Sequence, residues 1–378
     1  MSATGDIQPL IRGRHKQKLL YRQLSDRLRG DLEAGLFQPG AMLPSMDTLA
    51  RQHRINKLTA RRAIADLAAA GLVYSVPGRG TFVSDRRRAA ARPAGGPLSV
   101  GGVFSVNDKG QTGPYHTEIL DAVRSALAAE RAHLLMISTT GLPAASFCRL
   151  VGEAEVDGLI LLGAFPQLAL RHVAASGRPI VLIDDTCRGT PIDSILVDNR
   201  GGGHQAVQHL TALGHRRLAF VTGPAGLRIT RDRLDGAWDA LAEAGIDRAS
   251  VRVVESDFSS RGGYDAMIAL LRAKRRPTGV FFLNDEMASG GLQALYERSR
   301  LAVPDDLSIV GFDDISWSSL AHPPLTTVRV EKELVGRTAV ERLVKRLSRA
   351  DHIPTTTVTP TRLIVRKSTA APIQRGGR

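Results

Sequence analysis

Residues 98–368 alternate short apolar runs with amphipathic segments of helical periodicity, and this alternation restricts the possible folds more than any other feature of the sequence. In chain order, the runs are LSVGGVF, HLLMIS, VDGLILLG, PIVLID, DSILVD, RLAFVTG, VRVVES, GVFFLN and LSIVGF. Repeated alternation of strands and helices is typical of parallel sheets that carry helices on both faces. The sequence therefore predicts an α/β fold for this part of the chain.

Polar residues collect directly after several of these runs. They are Asn107 and Asp108, Asp184 and Asp185, Asp198 and Asn199, Asn284 and Asp285, and Asp313 and Asp314. Ligands bind such sheets at the carboxyl ends of the strands, so these side chains are candidates for ligand contacts. Each of them could instead be the N-cap of the helix that follows.

The segment RRRAAARPAGGP at residues 86–97 has no apolar periodicity and combines Arg with Ala, Pro and Gly, which is typical of an exposed linker. We place the linker at residues 85–97, after a flexible N-terminus (1–18) and a small domain (19–84). The net charge of the chain is +14, and residues 1–97 hold 17 Lys and Arg against 7 Asp and Glu. A basic module on a nearly neutral body indicates a polyanionic partner, with a solvated basic surface as the alternative.

Three helices are predicted before the linker. The first carries a leucine at every fourth position, namely Leu20, Leu24, Leu28 and Leu32. Ser45 can cap a short second helix, and Asn56 can cap a third that runs to about Ala70. Because only residues 53–56 separate the last two helices, the pattern predicts a helix-turn-helix whose third helix can enter a DNA major groove.

The third helix is predicted to have two different faces. Ala60, Ile64 and Leu67 would pack inward, whereas Lys57 and Arg61 share an outward face. The next segment, LVYSVPGRGTFV, contains two strand-forming runs around a Pro-Gly-Arg-Gly turn. That arrangement predicts a β-hairpin, or wing, directly after the helix-turn-helix.

Residues 19–84 resemble the winged-helix domain of the GntR family. The resemblance is carried by the PG…LPS stretch, the T-x-R-R-A of the third helix and the G-R-G-T-F of the hairpin. It implies an α+β winged helix-turn-helix that contacts double-stranded operator DNA. The implied groove contacts are Lys57, Thr59 and Arg61, and the implied wing contacts near the minor groove are Gly78 and Arg79. Ser45, Leu58 and Arg62 are further implied DNA contacts.

The second helix departs from the family pattern. Members of the GntR family usually carry an acidic residue followed by a basic one there, whereas this chain has Met46 and Asp47. The Asp47 carboxylate could accept a hydrogen bond from a cytosine amino group, or it could face solvent. The operator sequence therefore cannot be carried over from the family.

Residues 98–368 resemble the effector domain of the LacI family, which is similar to periplasmic sugar-binding proteins. The resemblance rests on VDNRGGGHQAVQHLTALGHRRLAFVTGP, RDRLDGAWDALAEAGI, FFLNDEMASGGLQAL and PDDLSIVGFDDISWSSLAHPPLTTVRV. It implies two α/β lobes joined by crossovers near Val197, Val328 and Val358. The N-lobe would hold residues 98–197 and 329–357, the C-lobe residues 198–328 and 358–368, and a flexible C-terminus residues 369–378.

The same resemblance implies a ligand between the lobes. Asp184, Arg233, Asn284 and Asp313 are the implied clamps, and Phe258 is an implied ring contact. Carboxylates, an arginine fork and an amide beside an aromatic face can satisfy the hydroxyls of a monosaccharide. Arg233 and Asp313 could instead form a structural ion pair. Nucleobases are also bound by proteins of this fold family.

The whole chain resembles the arabinose-repressor-like regulators, in which a GntR-type DNA-binding domain is joined to a LacI-type effector domain. The resemblance implies a homodimeric repressor of carbohydrate-metabolism genes that a sugar releases from its operator. A non-sugar metabolite such as a nucleobase is the alternative effector. We expect the two recognition helices of the dimer to lie about 34 Å apart, one helical turn of DNA, and the linker to transmit ligand binding.

Other functional classes fit the sequence poorly. Residues 201–203 are glycines at the start of a predicted helix, but the chain lacks G-x-G-x-x-G, G-x-x-x-x-G-K-[ST] and G-x-S-x-G. His204, His209 and His215 do not have the spacing of a metal site. We therefore expect no cofactor and no enzymatic activity.

Export and membrane insertion are not expected either. The first thirty residues are basic without an apolar stretch, and the longest apolar run, near residues 158–165, is too short to span a bilayer. Cys148 and Cys187 are the only cysteines and form no C-x-x-C pair, which is typical of a reducing compartment. The sequence thus predicts a cytoplasmic protein. A binding protein outside the cytoplasm would have no use for the N-terminal module.

Overall fold

The computed structural model describes residues 18–34, 36–37, 41–69, 72–76, 80–83, 97–104, 113–138, 144–348 and 353–373. The chain divides into two compact units, and the main boundary lies between Pro97 and Leu98, at the end of the predicted linker. Several predictions lie outside the described residues. They concern the N-terminus up to residue 17, the linker up to residue 96, Gly78, Arg79, Asn107 and Asp108.

The N-terminal unit is a helix-turn-helix followed by a β-hairpin. Its elements are α1 (Lys18–Glu33), α2 (Met46–Gln52), α3 (Lys57–Ala69), β1 (Val73–Val76) and β2 (Gly80–Val83). The Ser45 hydroxyl accepts a hydrogen bond from the Thr48 amide at 3.1 Å, and Oδ1 of Asn56 accepts one from the Thr59 amide at 2.6 Å. Both helices therefore begin at the predicted caps, which satisfy amides that a first helical turn leaves unpaired.

An apolar cluster holds the N-terminal unit together. Leu24 and Leu28 of α1, Leu49 of α2, and Ile64 and Leu67 of α3 are all buried in it. These are the apolar positions that the helical periodicity predicts, so the three helices are fixed by one shared core. The outward face of α3 is left free of packing by the same periodicity.

The hairpin is tied to the helices by backbone hydrogen bonds. Its strands are antiparallel, with Val73 opposite Val83. The chain before α2 forms an isolated β-bridge with the hairpin at Met42, because the Leu43 amide donates to the Thr81 carbonyl at 2.7 Å and the Val83 amide donates to the Ala41 carbonyl at 2.9 Å. The predicted wing is therefore anchored at its base.

The second unit consists of two lobes, each built on a sheet of six strands among the described residues. The N-lobe sheet has the order β4, β3, β5, β6, β7, β13, and its strands are parallel. They are β3 (Ser99–Phe104), β4 (His133–Ser138), β5 (Gly158–Leu162), β6 (Ile180–Ile183), β7 (Asp193–Val197) and β13 (Thr356–Thr359). The central strands are buried and apolar, as strands covered on both faces must be.

The C-lobe sheet has the order β9, β8, β10, β11, β12, β14. Its strands are β8 (Leu218–Thr222), β9 (Arg252–Glu255), β10 (Gly279–Phe282), β11 (Ser308–Asp313), β12 (Thr326–Val330) and β14 (Thr361–Ile364). β14 runs antiparallel to β12, with Val328 opposite Leu363. The predicted parallel arrangement therefore holds except at this edge strand.

Helices cover both sheets. The N-lobe helices are α4 (Pro114–Ala129), α5 (Ala144–Glu153), α6 (Gln167–Ala174) and α11 (Lys332–Ser348), and the C-lobe helices are α7 (Asn199–Ala212), α8 (Arg228–Glu243), α9 (Ser260–Leu271) and α10 (Asp285–Arg298). Short 3₁₀ turns cover Arg248–Ser250 and Ser316–Ser319. Among the described residues, no helix is long and apolar enough to cross a membrane.

The glycine run at the start of α7 allows α8 to approach closely. A Cβ atom on Gly203 would lie 2.1 Å from the carbonyl oxygen of Arg233, and one on Gly236 of α8 would lie 1.8 Å from the carbonyl oxygen of Arg200. Neither position admits a side chain, because real Cβ atoms do not approach backbone atoms so closely. The glycines thus serve helix packing, which gives them a physical role other than holding a phosphate.

The chain passes between the lobes at Asp198, Glu331 and Pro360. The last two crossings were predicted too early, because Arg329 and Val330 still belong to β12 of the C-lobe sheet. Val358 pairs with Leu196 inside the N-lobe sheet, so it belongs to the N-lobe and not to the C-lobe.

The flexible C-terminus was also predicted to begin too early, at residue 369. The Thr369 hydroxyl lies 2.9 Å from Nε2 of His209, and the Ala370 amide donates to the Ser308 hydroxyl at 3.0 Å. These bonds hold the chain on the C-lobe as far as Ala370.

Candidate functional site

The start of α3 presents an exposed basic face. Lys57, Arg61 and Arg62 are exposed, and Leu58 is 70% exposed although it is apolar. Ser45, at the start of α2, is also exposed. A protruding apolar side chain among cations suits a major groove, where thymine methyl groups alternate with hydrogen-bonding atoms. This surface, formed by the first turns of α2 and α3, is called the α3 face below.

Thr59 and Arg62, both predicted to contact DNA, already have partners within the protein. Thr59 is buried, and its hydroxyl donates to Oδ1 of Asn56 at 2.8 Å. The Arg62 guanidinium lies 4.4 Å from the centre of the Tyr21 ring on α1, a cation–π contact. Thr59 therefore acts in the cap of α3, and the Arg62 guanidinium is drawn towards α1.

Asp47 has a partner that neither sequence interpretation included. Nζ of Lys57 lies 2.9 Å from one Asp47 carboxylate oxygen and 3.0 Å from the other. Met46, the other departure from the family pattern, packs partly buried against the core of the unit. The acidic residue on the α3 face is therefore paired with a cation of α3, across the turn of the helix-turn-helix.

In the second unit, Arg233 of α8 is buried in the C-lobe (3% exposed). Its Nε donates to Oδ1 of Asn199 at 2.8 Å, and its Nη2 donates to Oδ1 of Asp313 at 3.1 Å. Nη1 donates to the Leu283 carbonyl, and the guanidinium carbon lies 3.7 Å from the centre of the Phe312 ring. The guanidinium is thus fixed on its C-lobe partners and still has N–H groups left for a ligand, since arginine carries five.

Asp184 follows β6 in the N-lobe and adopts a left-handed backbone conformation with φ of 68°. Its Oδ2 accepts a hydrogen bond from the Tyr115 hydroxyl at 2.9 Å, whereas its Oδ1 is buried and has no partner among the described residues. Burial raises the pKa of Asp184 to about 6, although the Tyr115 hydroxyl and the Arg233 charge act in the opposite direction. A buried carboxylate oxygen without a donor is unfavourable, so a bound hydroxyl or amino group would stabilise it.

Asp313 and Asp285 differ in how much hydrogen-bonding capacity they keep. Burial raises the pKa of Asp313 to about 6, opposed by the charges of Arg233 and Lys332. Burial and the charge of Asp313 raise the pKa of Asp285 to about 7. Asp285 accepts hydrogen bonds from the hydroxyls of Ser318 and Thr327, both at 2.6 Å. Its carboxylate therefore serves the C-lobe itself, whereas Asp313 lies beside Arg233.

Asn284 and Phe258 form one local structure. The Asn284 Oδ1 caps α10 by accepting from the Met287 amide at 2.9 Å, and its Nδ2 donates to the Phe258 carbonyl at 3.0 Å. Phe258 has φ of 64°, and a Cβ atom on Gly223 would lie 2.0 Å from its ring. Asn284 thus has the capping role that the sequence left open, and it also fixes the loop that carries the ring.

The lobes are also joined by contacts around Glu118 of α4. Its Oε1 accepts from the Ser316 amide at 2.9 Å and from the Ser316 hydroxyl at 2.6 Å. Its Oε2 lies 3.1 Å from Nζ of Lys332, which also donates to the Asp313 carbonyl at 2.7 Å. Glu118 therefore links the N-lobe to the C-lobe segment directly after β11.

Sequence reasoning missed Tyr115 and Glu118. Both lie on α4, beyond the polar pair Asn107 and Asp108 that follows the preceding strand, and their partners are distant in the sequence. The spacing of Tyr115 and Glu118 could have indicated them, because residues three apart lie on the same face of a helix. That helix begins shortly after the carboxyl end of a strand.

Comparisons with known proteins agree with both halves of the structure. Residues 20–83 match the model of the bacterial regulatory proteins of the gntR family, and residues 207–369 match a periplasmic binding protein-like domain. The HTH-type transcriptional repressor PurR of Photobacterium profundum is 30% identical over 261 residues, which is 68% of this chain and 78% of that protein. This chain belongs to the LacI family of transcriptional repressors. Its DNA-binding domain is of the gntR family.

Other LacI-family proteins show the same likeness. The ribose operon repressor of Escherichia coli is 34% identical over 241 residues, covering 63% of this chain and 73% of the repressor. A solved LacI family regulator from Enterococcus faecium with bound ribose has a TM-score of 0.66 at 26% identity and covers 72% of this chain and 99% of its own. A dimeric Lac repressor with a C-terminal deletion has a TM-score of 0.65 at 29% identity, and the match covers 73% of this chain and 100% of the repressor chain. The chain is a ligand-responsive, DNA-binding transcriptional repressor.

Proposed function

We propose that this LacI-family repressor binds a monosaccharide between its lobes and that the bound sugar lowers its affinity for operator DNA. The observation that carries the proposal is the buried, unpartnered Oδ1 of Asp184, which lies in the electrostatic field of Arg233. A sugar hydroxyl can donate to that oxygen, and the spare N–H groups of Arg233 can bind further ring oxygens. Asp313 and the ring of Phe258 complete the clamp.

The relatives support a pentose or a similar sugar as the effector. One solved LacI-family structure contains ribose, and one relative represses a ribose operon. A carboxylate is ionised when both of its oxygens accept hydrogen bonds from sugar hydroxyls, and Asp184 and Asp313, with pKa values of about 6, are ionised near neutral pH. We therefore infer that sugar binding is strongest above pH 6.

DNA binding is assigned to the α3 face. Lys57, Leu58 and Arg61 are exposed there, and the wing carries Arg79. We propose that a homodimer, as in the dimeric Lac repressor, presents two such faces to successive major grooves about 34 Å apart. Gly78 and the Arg79 side chain would contact the adjacent phosphates or minor groove. Ser45 and Arg62, at the edge of the α3 face, would contact the sugar-phosphate backbone.

A nucleobase is the second candidate effector. PurR, at 30% identity, is a transcriptional repressor in the same family, and an aromatic ring such as Phe258 stacks on a flat base as readily as it covers a sugar. The two effectors differ in what Asp184 must accept, because a sugar presents hydroxyls and a base presents ring or exocyclic N–H groups.

The test is a thermal-shift screen of the purified protein against ribose, other pentoses, hexoses and the common nucleobases. A ligand that binds only the folded protein raises its melting temperature by mass action. We expect a sugar to raise it and the same sugar to weaken operator binding in a fluorescence anisotropy titration. A sugar that binds without changing operator affinity would contradict the proposed release, and a shift with bases alone would favour the second candidate.

The two halves of the function can be separated by substitution. Arg61→Ala is expected to weaken operator binding and leave sugar binding intact, whereas Asp313→Asn is expected to do the reverse. Loss of both functions in either folded variant would contradict the assignment of DNA and ligand to separate units.

A further inference from the structure

Asp47 is the acidic residue of the α3 face, a surface otherwise suited to a polyanion. It lies in the first turn of α2, and Lys57 is the first residue of α3. Their side chains are 63% and 64% exposed, so both reach the surface at the turn between the two helices. DNA phosphates repel a carboxylate at that place, so its presence on a DNA-binding surface requires a compensating role.

The geometry of the pair decides what that role can be. Nζ of Lys57 lies 2.9 and 3.0 Å from the two carboxylate oxygens, and Arg51 donates from Nε to the Asp47 backbone carbonyl at 3.3 Å. The pair therefore presents a donor directly beside an acceptor, with a net charge close to zero. An exposed ion pair of this kind contributes at most about 1 kcal/mol to folding, so stability alone is a weak reason for it.

A donor beside an acceptor is complementary to the major-groove edge of one base pair. Guanine presents two acceptors there, N7 and O6, and the cytosine opposite presents its amino donor beside O6. Lysine is a preferred partner of the guanine acceptors, and aspartate is a preferred partner of the cytosine amino group. An A·T pair has only one acceptor on its purine edge and therefore suits the lysine less well.

We propose that Asp47 is a specificity-determining residue that, with Lys57, reads one G·C pair in each operator half-site. Asp47 accepts from the cytosine amino group and holds the Lys57 ammonium on guanine, away from the phosphates. The proposal rests on the α3 face being the DNA-binding surface.

The operator is first obtained by in vitro selection from a pool of random duplexes with the full-length protein. Affinities are then measured by fluorescence anisotropy for the wild type, Asp47→Asn, Lys57→Ala and the double variant. For the wild type, replacing the G·C pair by A·T should weaken binding about tenfold, within the usual range for a base contact. For Asp47→Asn, the same replacement should weaken binding less than about threefold.

Salt dependence gives a second, independent measurement. On a duplex of unrelated sequence, Asp47→Asn frees Lys57 to pair with a phosphate, so the slope of log affinity against log salt should steepen by about 0.9. In the Lys57→Ala background the same substitution should leave the slope unchanged. A purely structural role for Asp47 would move neither quantity.

Asp66→Asn is the matched control. Asp66 is an exposed acidic residue on α3, nine positions after Lys57 and thus on the opposite side of the helix. It should behave as the wild type in both measurements. A selected site without a G·C pair that depends on Asp47, or an unchanged base preference and slope in Asp47→Asn, would overturn the proposal.

The controls also separate this inference from the assignment of the α3 face. If Arg61→Ala binds the selected operator as the wild type does, the face itself is wrong. If Arg61→Ala loses binding while Asp47→Asn is unchanged, only the role of Asp47 is wrong.

Discussion

The Tyr115 hydroxyl donates a hydrogen bond of 2.9 Å to Oδ2 of Asp184, while the other oxygen of that carboxylate is buried without a partner among the described residues. The phenol therefore fixes the plane of the carboxylate. Burial and the negative charges of Asp184 and Asp313 hold the pKa of Tyr115 well above its usual value, so the hydroxyl keeps its proton. Tyr115 is thereby a donor at every physiological pH.

Replacing Tyr115 with phenylalanine is expected to weaken effector binding by about tenfold, because a hydrogen bond to a charged group contributes about 1.5–3 kcal/mol. The Tyr115 hydrogen bond also lowers the pKa of Asp184. Without it, the pH at which binding is lost on acidification should move above about 6. Calorimetric titration with the sugar found in the screen, repeated across pH, measures both effects. Tyr264→Phe, which removes an exposed hydroxyl bonded to Glu297, should change neither.

Asp285 is expected to make stability fall as pH rises from about 4 to about 7. Its pKa is raised to about 7 in the folded protein, so between the two pKa values the folded state binds more protons than the unfolded state. The slope for such a group is about 1.4 kcal/mol per pH unit within this interval. His116, whose pKa burial lowers to about 4, has a slope of opposite sign, so the contribution of Asp285 must be isolated by difference.

That difference is available from Asp285→Asn, which cannot titrate. The variant should be destabilised relative to the wild type, and the difference in the free energy of unfolding should shrink from pH 5 to pH 7 and stay constant above pH 8. Denaturant unfolding at several pH values gives this difference. A gap that stays constant from pH 5 to pH 7 would mean that Asp285 is already ionised in the folded protein over this range, and would contradict the prediction.

Glu118→Gln is expected to weaken effector binding several-fold while leaving the unliganded protein close to wild-type stability. The substitution removes the charge that Lys332 pairs with inside the N-lobe, and it weakens the bonds to Ser316, which join the two lobes. A ligand held between lobes must be bound less tightly when closure is less favourable. Calorimetry measures the affinity, and Glu130→Gln, at an exposed position after α4, is the control. If Glu118→Gln and Glu130→Gln bind the effector with equal affinity, the contacts of Glu118 do not contribute to lobe closure.

Gly236→Ala is expected to destabilise the second unit by more than about 3 kcal/mol, because the added methyl would lie 1.8 Å from the Arg200 carbonyl oxygen and must push α7 and α8 apart. Since α8 carries Arg233, effector affinity should fall as well. Gly152→Ala, on α5 with nothing within 4 Å of the new methyl, should instead leave stability unchanged or raise it by about 0.5–1 kcal/mol. Chemical denaturation distinguishes the two.

Most strands that the sequence predicts are buried on both faces of their sheets, although β4 and β9, also predicted, are partly exposed edge strands. Val, Ile, Leu and Phe must fill such strands, so each leaves an apolar run that pattern reading finds. The segments missed were β12, β13 and β14. They are rich in threonine, and β13 and β14 lie at sheet edges where solvent reaches one side. Their place is set by pairing with distant strands, which a local pattern does not contain.

The candidate sites divide in the same way. Caps such as Ser45 and Asn56 act on the next turn of chain, so the sequence alone locates them. The pairs Asp47 with Lys57 and Tyr115 with Asp184 form across a turn or between distant segments. Residue type and spacing indicate that each side chain is polar and exposed or near a strand end, but not which partner it meets.

The crossings at Asp198, Glu331 and Pro360 make each lobe discontinuous in the sequence, whereas the helix-turn-helix and its hairpin lie in one stretch of the chain, residues 18–83. A chimera that exchanges the DNA-binding unit needs a single junction, whereas a chimera that exchanges one lobe needs several junctions at matching positions. Recombination at that one junction can therefore give this sensor a new DNA target, or this DNA-binding unit a new sensor, in a single event.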